Sequence, residues 1–254
     1  MSKQVRVPVE ELCETPYAAV LCYPSMDTSA VKERVEELRQ LGIEALEPAG
    51  EKRVGRFSVL GKGHVGVVVK AHLKGKPVAL KARRADSARR DMRHEAEMLR
   101  KANAVQVGPE LLAVSDNFVV MQLVNGRPIL SWLATGRSSE KLKETLRNVL
   151  EQCYRLDRAG LDHGELSHAP KHVIVKKTGK AYIVDFEAAS SQRTPSNVTS
   201  ICSFLFIGEA CNVTAEKLGP FNKEALVRDL RAYKRERTRE SFGSVLRSCG
   251  LQTM

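Results

Sequence analysis

The sequence predicts an α+β chain in which an antiparallel sheet with one helix comes first and a mainly helical half follows. Three observations predict it. Between Arg56 and Lys81, short runs rich in β-branched residues alternate with glycine turns. One charged helix, about Ser87 to Lys101, and one further apolar strand, Phe118 to Leu123, complete that half. After Asn125-Gly126 the apolar spacing becomes helical: Leu142, Leu146, Val149, Leu150 and Cys153 line one face of a helix that stops at Gly160.

The elements follow in order. Ala18-Ala19-Val20-Leu21-Cys22-Tyr23 reads as a buried strand, and Ser29 as the cap of a helix carrying Val31, Val35 and Leu38, stopped by Gly42. Residues 1–50 thus form a small N-terminal α/β extension. Residues 51–124 hold three strands, Arg56–Leu60, Gly66–Ala71 and Pro77–Lys81, then the charged helix and the strand at 118–123. Residues 125–254 are mainly helical, ending in a helix capped by Asn222 with Leu226, Leu230 and Tyr233 on one face and arginines on the other. No internal repeat or low-complexity tract interrupts this order.

Bulk properties narrow the class. A chain of 254 residues, 43% hydrophobic, can bury a sizeable core. No apolar run approaches the ~20 residues of a membrane span, and the N-terminus lacks the apolar stretch of a signal peptide. The six cysteines are scattered without a Cys-x-x-Cys pair, which argues against a zinc ribbon or disulfide scaffold and for a reducing, cytoplasmic setting. Asn-Val-Thr sequons at Asn197 and Asn212 are irrelevant there. The net charge of +11 suits nucleic acid, ribosomes, acidic substrates or ATP, and equally a generally basic surface. Aromatic residues are only 5% and do not interleave with the late arginines, so a base-stacking platform is not indicated, while phosphate-backbone contact stays open.

Four short blocks carry chemistry. Gly61-Lys62-Gly63-His64-Val65-Gly66 places three glycines between strands, where backbone amides can approach phosphates without a Cβ in the way. A strand, not a helix, follows, which disfavours a dinucleotide turn, and the Gly-Lys-Ser/Thr ending of a Walker loop is missing. Alone it is also an ordinary glycine hairpin. Lys81 ends the strand Val78-Ala79-Leu80-Lys81 and would lie beneath that loop, where an ammonium bridges two phosphates once a carboxylate holds it. Glu95 and Glu97 are both available; Glu95 is preferred because Met98 and Leu99 then pack on the sheet. The third block is Asp162-His163-Gly164-Glu165-Leu166, the fourth Tyr182-Ile183-Val184-Asp185-Phe186, an apolar strand whose terminal carboxylate is costly unless it binds metal or caps a turn. In this order the blocks read as phosphate-covering loop, phosphate-binding lysine, catalytic loop and metal-binding aspartate. Met121-Gln122-Leu123-Val124 fits a hinge, with Met121 lining an adenine pocket and backbone groups of Gln122 to Val124 on the adenine edge, and equally a plain core strand ending in an Asn-Gly turn.

Ala159-Gly160-Leu161-Asp162-His163-Gly164-Glu165-Leu166 resembles the catalytic run of the atypical, minimal members of the protein kinase superfamily. These include the RIO kinases, the small archaeal kinase of the tRNA-modifying KEOPS complex and the aminoglycoside phosphotransferases. More closely, over roughly residues 55–210, the chain resembles the predicted RIO-like serine/threonine protein kinases of archaea. The resemblance implies a bilobal protein-kinase-like fold, with an antiparallel N-lobe and a reduced, mainly helical C-lobe. It implies ATP and Mg²⁺ or Mn²⁺ as cofactors, held by Gly61, Gly63, Gly66, Lys81, Glu95, Met121, Gln122 and Val124. Lys81, Glu165 and Asp185 would be catalytic, and Asp185 and His172 metal ligands.

Two positions depart from that family. Glu165 stands where Asp is usual, extending the carboxylate by ~1.5 Å, and His172 stands where a metal-binding Asn is usual. Imidazole is a poor ligand for Mg²⁺ and a better one for Mn²⁺. His163 is expected to hydrogen-bond backbone beside Asp185, and His168 to be an exposed loop residue. Glu187 follows Asp-Phe in place of Gly and offers a further carboxylate. No Ala-Pro-Glu motif follows in the 69 residues after Asp185, so a long activation segment is not expected. The expected activity is transfer of the ATP γ-phosphoryl group to a serine or threonine hydroxyl, including on itself. The alternative is an ATP-dependent switch on a ribonucleoprotein, contacting ribosomal or transfer RNA through the basic surface.

Overall fold

The computed structural model describes residues 6–25, 27–136 and 138–252. They divide into two compact units. One comprises the residues up to Glu97 together with Glu110–Leu123, the other Met98–Pro109 and the residues from Val124 onward.

The first unit is built on a seven-stranded antiparallel sheet. Its strands are β1 (Val7–Pro8), β2 (Ile43–Glu47), β5 (Gly61–Lys62), β6 (Gly66–Leu73), β7 (Lys76–Arg83), β8 (Leu111–Val114) and β9 (Phe118–Gln122). Their order is β1-β2-β6-β7-β9-β8, with β5 pairing the start of β6; β3 (Lys52–Val54) and β4 (Phe57–Val59) form a separate hairpin. Lys74 and Gly75 turn the β6–β7 hairpin, both with positive φ (50° and 71°). Along β6, Val67, Val69 and Ala71 alternate into the core against Val78, Leu80 and Ala82 of β7.

The N-terminal residues join this sheet, since Val7 pairs with Leu46 and β2 pairs with β6. The expected strand at Ala18–Tyr23 is instead a 3₁₀ turn, Pro16–Val20, followed by a bend. Pro16 fixes a helical φ at the first position, and Leu21 donates to the Ala18 carbonyl at 3.0 Å. Ala18, Val20, Leu21 and Cys22 are all buried, so the apolar run marks a wrapped turn rather than a strand. Helix α1 (Thr28–Gln40) carries Val31, Val35 and Leu38 inward as expected, but its cap is Asp27, which accepts from Ser29 N at 2.8 Å. Helix α2 (Arg93–Ala104) begins later than the charged run, after Asp91 accepts from Arg93 N at 2.9 Å.

In the second unit a small antiparallel sheet orders β10 (Gly126–Pro128), β11 (Val173–Lys176) and β12 (Ala181–Ile183). Short α3 (Ile129–Leu133) leads to α4 (Ser139–Arg158), which buries Leu142, Leu146, Val149, Leu150 and Cys153, and Gly160 then reverses the chain at φ 71°. Helices α5 (Asn197–Cys202), α6 (Cys211–Leu218), α7 (Lys223–Glu236) and α8 (Arg239–Ser248) complete it. Asn222 caps α7 through Ala225 N at 2.9 Å. Among the described residues no single helix is long and apolar enough to cross a membrane.

Candidate functional site

In the first unit the glycine loop, Lys81 and Glu95 come together. Gly61 pairs with Val68, and the turn closes by Gly63 N donating to the Gly66 carbonyl at 2.9 Å. A Cβ at Gly66 would stand 2.9 Å from the Ala82 carbonyl and 3.0 Å from Lys81 Cγ. Glycine there lets the loop lie directly against the lysine stem. Lys81, in the β7 register opposite Val68 and Val119, is 4% exposed, and its Nζ lies 2.9 and 2.8 Å from the two oxygens of Glu95. A carboxylate this close holds the buried ammonium in position. Glu97 is exposed, as the apolar face of α2 dictates. Met121 is buried opposite Ala79, and Gln122 N donates to the Glu110 carbonyl at 2.8 Å, which commits that amide within the sheet rather than to an adenine edge. Val124 belongs to the second unit.

Arg84 carries no motif or spacing signal. Its Nη1 donates to the Gly63 carbonyl at 3.2 Å and its amide to the Val65 carbonyl at 2.8 Å. The Tyr23 ring lies under both Arg84 Cζ (4.9 Å) and Lys62 Nζ (4.2 Å), so the N-terminal extension touches the glycine loop.

In the second unit the segment 161–165 is held by a buried polar lattice. Asp157, on the buried face of α4, accepts from Asn197 N (2.8 Å), Asn197 Nδ2 (2.7 Å), Val198 N (3.2 Å) and Tyr233 Oη (2.9 Å). Burial pushes its carboxyl up, and these four donors oppose the shift. Asn197 in turn accepts from His163 N at 2.8 Å and donates to the Leu161 carbonyl at 2.7 Å. Asp162 accepts from Arg193 Nε (2.9 Å) and Ser196 N (3.1 Å). His163 is fully buried with Nε2 3.1 Å from the Val184 carbonyl, the residue before Asp185, so Nε2 carries the proton. Burial, with His172 adding to it, lowers the His163 pKa to about 4, and the ring is neutral near pH 7.

Beside this lattice Glu165, His172 and Asp185 come together. After the short 3₁₀ segment Leu166–Lys171, His172 is 1% exposed. Its Nε2 lies 3.5 Å from Glu165 Oε2 and its Nδ1 3.9 Å from Asp185 Oδ2. Burial lowers the His172 pKa, the Asp185 carboxylate opposing and Lys171 adding. Asp185 has a left-handed backbone (φ 71°), uncommon for a residue other than glycine. His168 is exposed in the loop.

The comparisons with known proteins bear on these groups. A family model described as "RIO domain" matches residues 69–201, which include Lys81, Glu95, Glu165, His172 and Asp185. The chain therefore belongs to the RIO-domain family. That is an atypical kinase family with a protein-kinase-like fold, and its chemistry is ATP-dependent. The chain is also similar to an uncharacterized protein of Methanocaldococcus jannaschii, 27% identical over 86 residues, which is 34% of this chain and 72% of that protein.

The family implies a divalent metal, and the donor set fits one. One atom each from Glu165, His172 and Asp185 lie within 4.8 Å of one another, and Glu165 Oε2 and His172 Nδ1 are buried with no hydrogen-bond partner among the described residues.

Proposed function

We propose that this chain is an atypical serine/threonine protein kinase, transferring the ATP γ-phosphoryl group to a hydroxyl of a protein, itself included. The carrying observation is the buried bidentate Lys81–Glu95 pair directly beneath Gly66, in a chain of the RIO-domain family. In this reading Lys81, fixed by Glu95, binds the α- and β-phosphates, and the glycine loop of Gly61, Gly63 and Gly66 covers them. Asp185 and His172 hold the metal, which when bound would offset phosphate charge. Glu165 orients the acceptor hydroxyl and takes its proton. The bond from the γ-phosphorus to its bridging oxygen breaks, ADP leaves, and the acceptor oxygen forms the new P–O bond. Adenine contacts fall to the Met121–Val124 segment apart from the Gln122 amide. The setting consistent with six free thiols, five of them buried, is the cytoplasm.

The test uses γ-labelled ATP with Mg²⁺ or Mn²⁺, following both protein labelling and phosphate release, against Asp185→Asn. Label that appears on serine or threonine and disappears in the variant supports the kinase. Phosphate release without labelling, again lost in the variant, would replace it with an ATP-dependent switch, for which the +11 charge suggests a ribonucleoprotein partner. Failure to bind ATP at all would sink both.

A further inference from the structure

We infer that the cleft between α4 and the β11–β12 hairpin is a docking site for an acidic segment of a protein substrate, with Arg147 and Lys180 as its anion-binding groups. This rests on the function proposed above only for calling that protein a substrate; the binding of an acidic chain stands on the second unit alone.

The cleft has a volume of about 480 Å³, within the range of ligand sites and far more than a single inorganic anion fills. Its two walls are fixed to each other. Thr145 Oγ1 donates to the Gly179 carbonyl and Gln152 Nε2 to the Ala181 carbonyl, each at 3.0 Å. The carboxylates that line it are already matched: Glu144 holds Lys141 Nζ at 2.7 Å, and Glu151 holds the two Nη atoms of Arg239 at 2.7 and 2.8 Å. The remaining cations are not. Arg147 lines the cleft, and its Nη1 is buried with no hydrogen-bond partner among the described residues. A guanidinium nitrogen shut away from water in this way lacks an acceptor. On the facing turn, Lys180 Nζ lies 5.2 Å from the centre of the Tyr182 ring, which Lys176 Nζ also approaches at 4.9 Å. A ring steadies an ammonium without neutralising it, so the cleft keeps a positive surplus and selects an anion. The planar fork of Arg147 matches a carboxylate, and the size of the cleft calls for several groups on one chain. The place of the cleft in the fold favours a peptide as well. Lys180 stands five residues before Asp185, at most about 18 Å along an extended chain. A peptide anchored here by acidic residues needs only a short extended stretch to bring a hydroxyl to that carboxylate.

The experiment titrates the full chain, without nucleotide, into a fluorescein-labelled peptide carrying a run of glutamates, and follows fluorescence anisotropy. Expected are saturable binding to the wild type and about tenfold weaker binding in Arg147→Gln, the scale of one hydrogen bond from a charged donor. Lys180→Gln should also weaken it, whereas Arg231→Gln, on the exposed face of α7, should leave it unchanged. Absence of saturable binding would overturn the docking site. Equal losses in Arg147→Gln and Arg231→Gln would overturn it too, by assigning the attraction to the net charge of +11. Displacement of the peptide by an equal concentration of inorganic phosphate would replace the peptide with a small anion as occupant. If Arg147→Gln fails to fold, Lys180→Gln decides, since that side chain is exposed on a turn. With ATP and a serine added to the peptide, Arg147→Gln should raise the peptide KM and leave kcat unchanged. Labelling with an unchanged KM would defeat the docking site and spare the kinase reading. Peptide binding in a chain that transfers phosphate to no protein, itself included, would sustain the site and defeat the kinase reading.

Discussion

Arg84 Nη1 donates to the Gly63 carbonyl at 3.2 Å, tying the middle of the glycine loop to the end of the strand that carries Lys81. The tie is reinforced from two sides. Asp86 holds the guanidinium at 2.8 and 2.6 Å, and Ala85 N donates to the Tyr23 carbonyl at 2.8 Å. The loop is thus set before any phosphate arrives, with the N-terminal extension as its backing. Arg84→Gln should weaken ATP binding about tenfold, the scale of one hydrogen bond from a charged donor. Isothermal titration with ATP checks this. Unchanged affinity in both Arg84→Gln and Tyr23→Ala would mean that the loop is set without them.

The glycines of the loop are not equivalent. A Cβ at Gly66 meets backbone, the Ala82 carbonyl at 2.9 Å, as well as Lys81 Cγ, whereas at Gly61 it meets only Val68 side-chain atoms at 3.6 Å. Gly66→Ala must push the loop or the lysine aside and should lower ATP affinity by at least roughly tenfold, the cost of a few tenths of an ångström in a packed site. Gly61→Ala should be nearly silent. Equal effects of the two variants on the dissociation constant would refute the proposed contact between loop and lysine stem.

What could be read in the sequence follows from how local each signal was. The Lys81–Glu95 choice was legible because strand, lysine and the apolar face of α2 constrain one another within 15 residues. The extension was misread at Ala18–Tyr23 because an unbroken apolar run looks alike as a strand or a wrapped turn, and Pro16 was the clue that decided it. The lattice around Asp157 was not legible, since its partners Asn197 and Tyr233 lie 40 and 76 residues on. Asn197 stood out only as a sequon, yet it is 1% exposed and spends its side chain on Asp157, Leu161 and His163. Arg84 was hidden for the same reason: its partner at Gly63 is set by strand register, not by spacing.

Asp157 holds Leu161 and His163 in position through Asn197. Asp157→Ala leaves four donors without an acceptor inside the second unit and should destabilise the protein by about 3 kcal/mol. Tyr233→Phe, which removes one of those donors, should cost about 1 kcal/mol. Thermal unfolding measures both. A Tyr233→Phe loss as large as that of Asp157→Ala would show that packing of the Tyr233 ring, rather than the polar lattice, holds this region.

Glu47 on β2 is 4% exposed and accepts from Lys70 Nζ and His72 Nε2, each at 2.7 Å, with Arg6 Nε at 3.8 Å. Burial alone would push its carboxyl up; the bonds from Lys70 and His72 outweigh burial and hold it below the usual 4.5. A carboxyl depressed in the folded protein contributes stability that is complete above its unfolded value and is lost as pH falls through its folded value. The β2–β6 pairing should therefore weaken below about pH 4.5, as Glu47 takes up a proton and its two short bonds lose their charge. Glu47→Gln should lower stability near neutral pH by about 2 kcal/mol, the scale of a hydrogen bond to a charged group. It should also flatten the melting-temperature profile below pH 4.5, where the wild type falls. A variant that keeps the wild-type acid slope would assign acid sensitivity to other carboxylates and leave Glu47 as a packing residue.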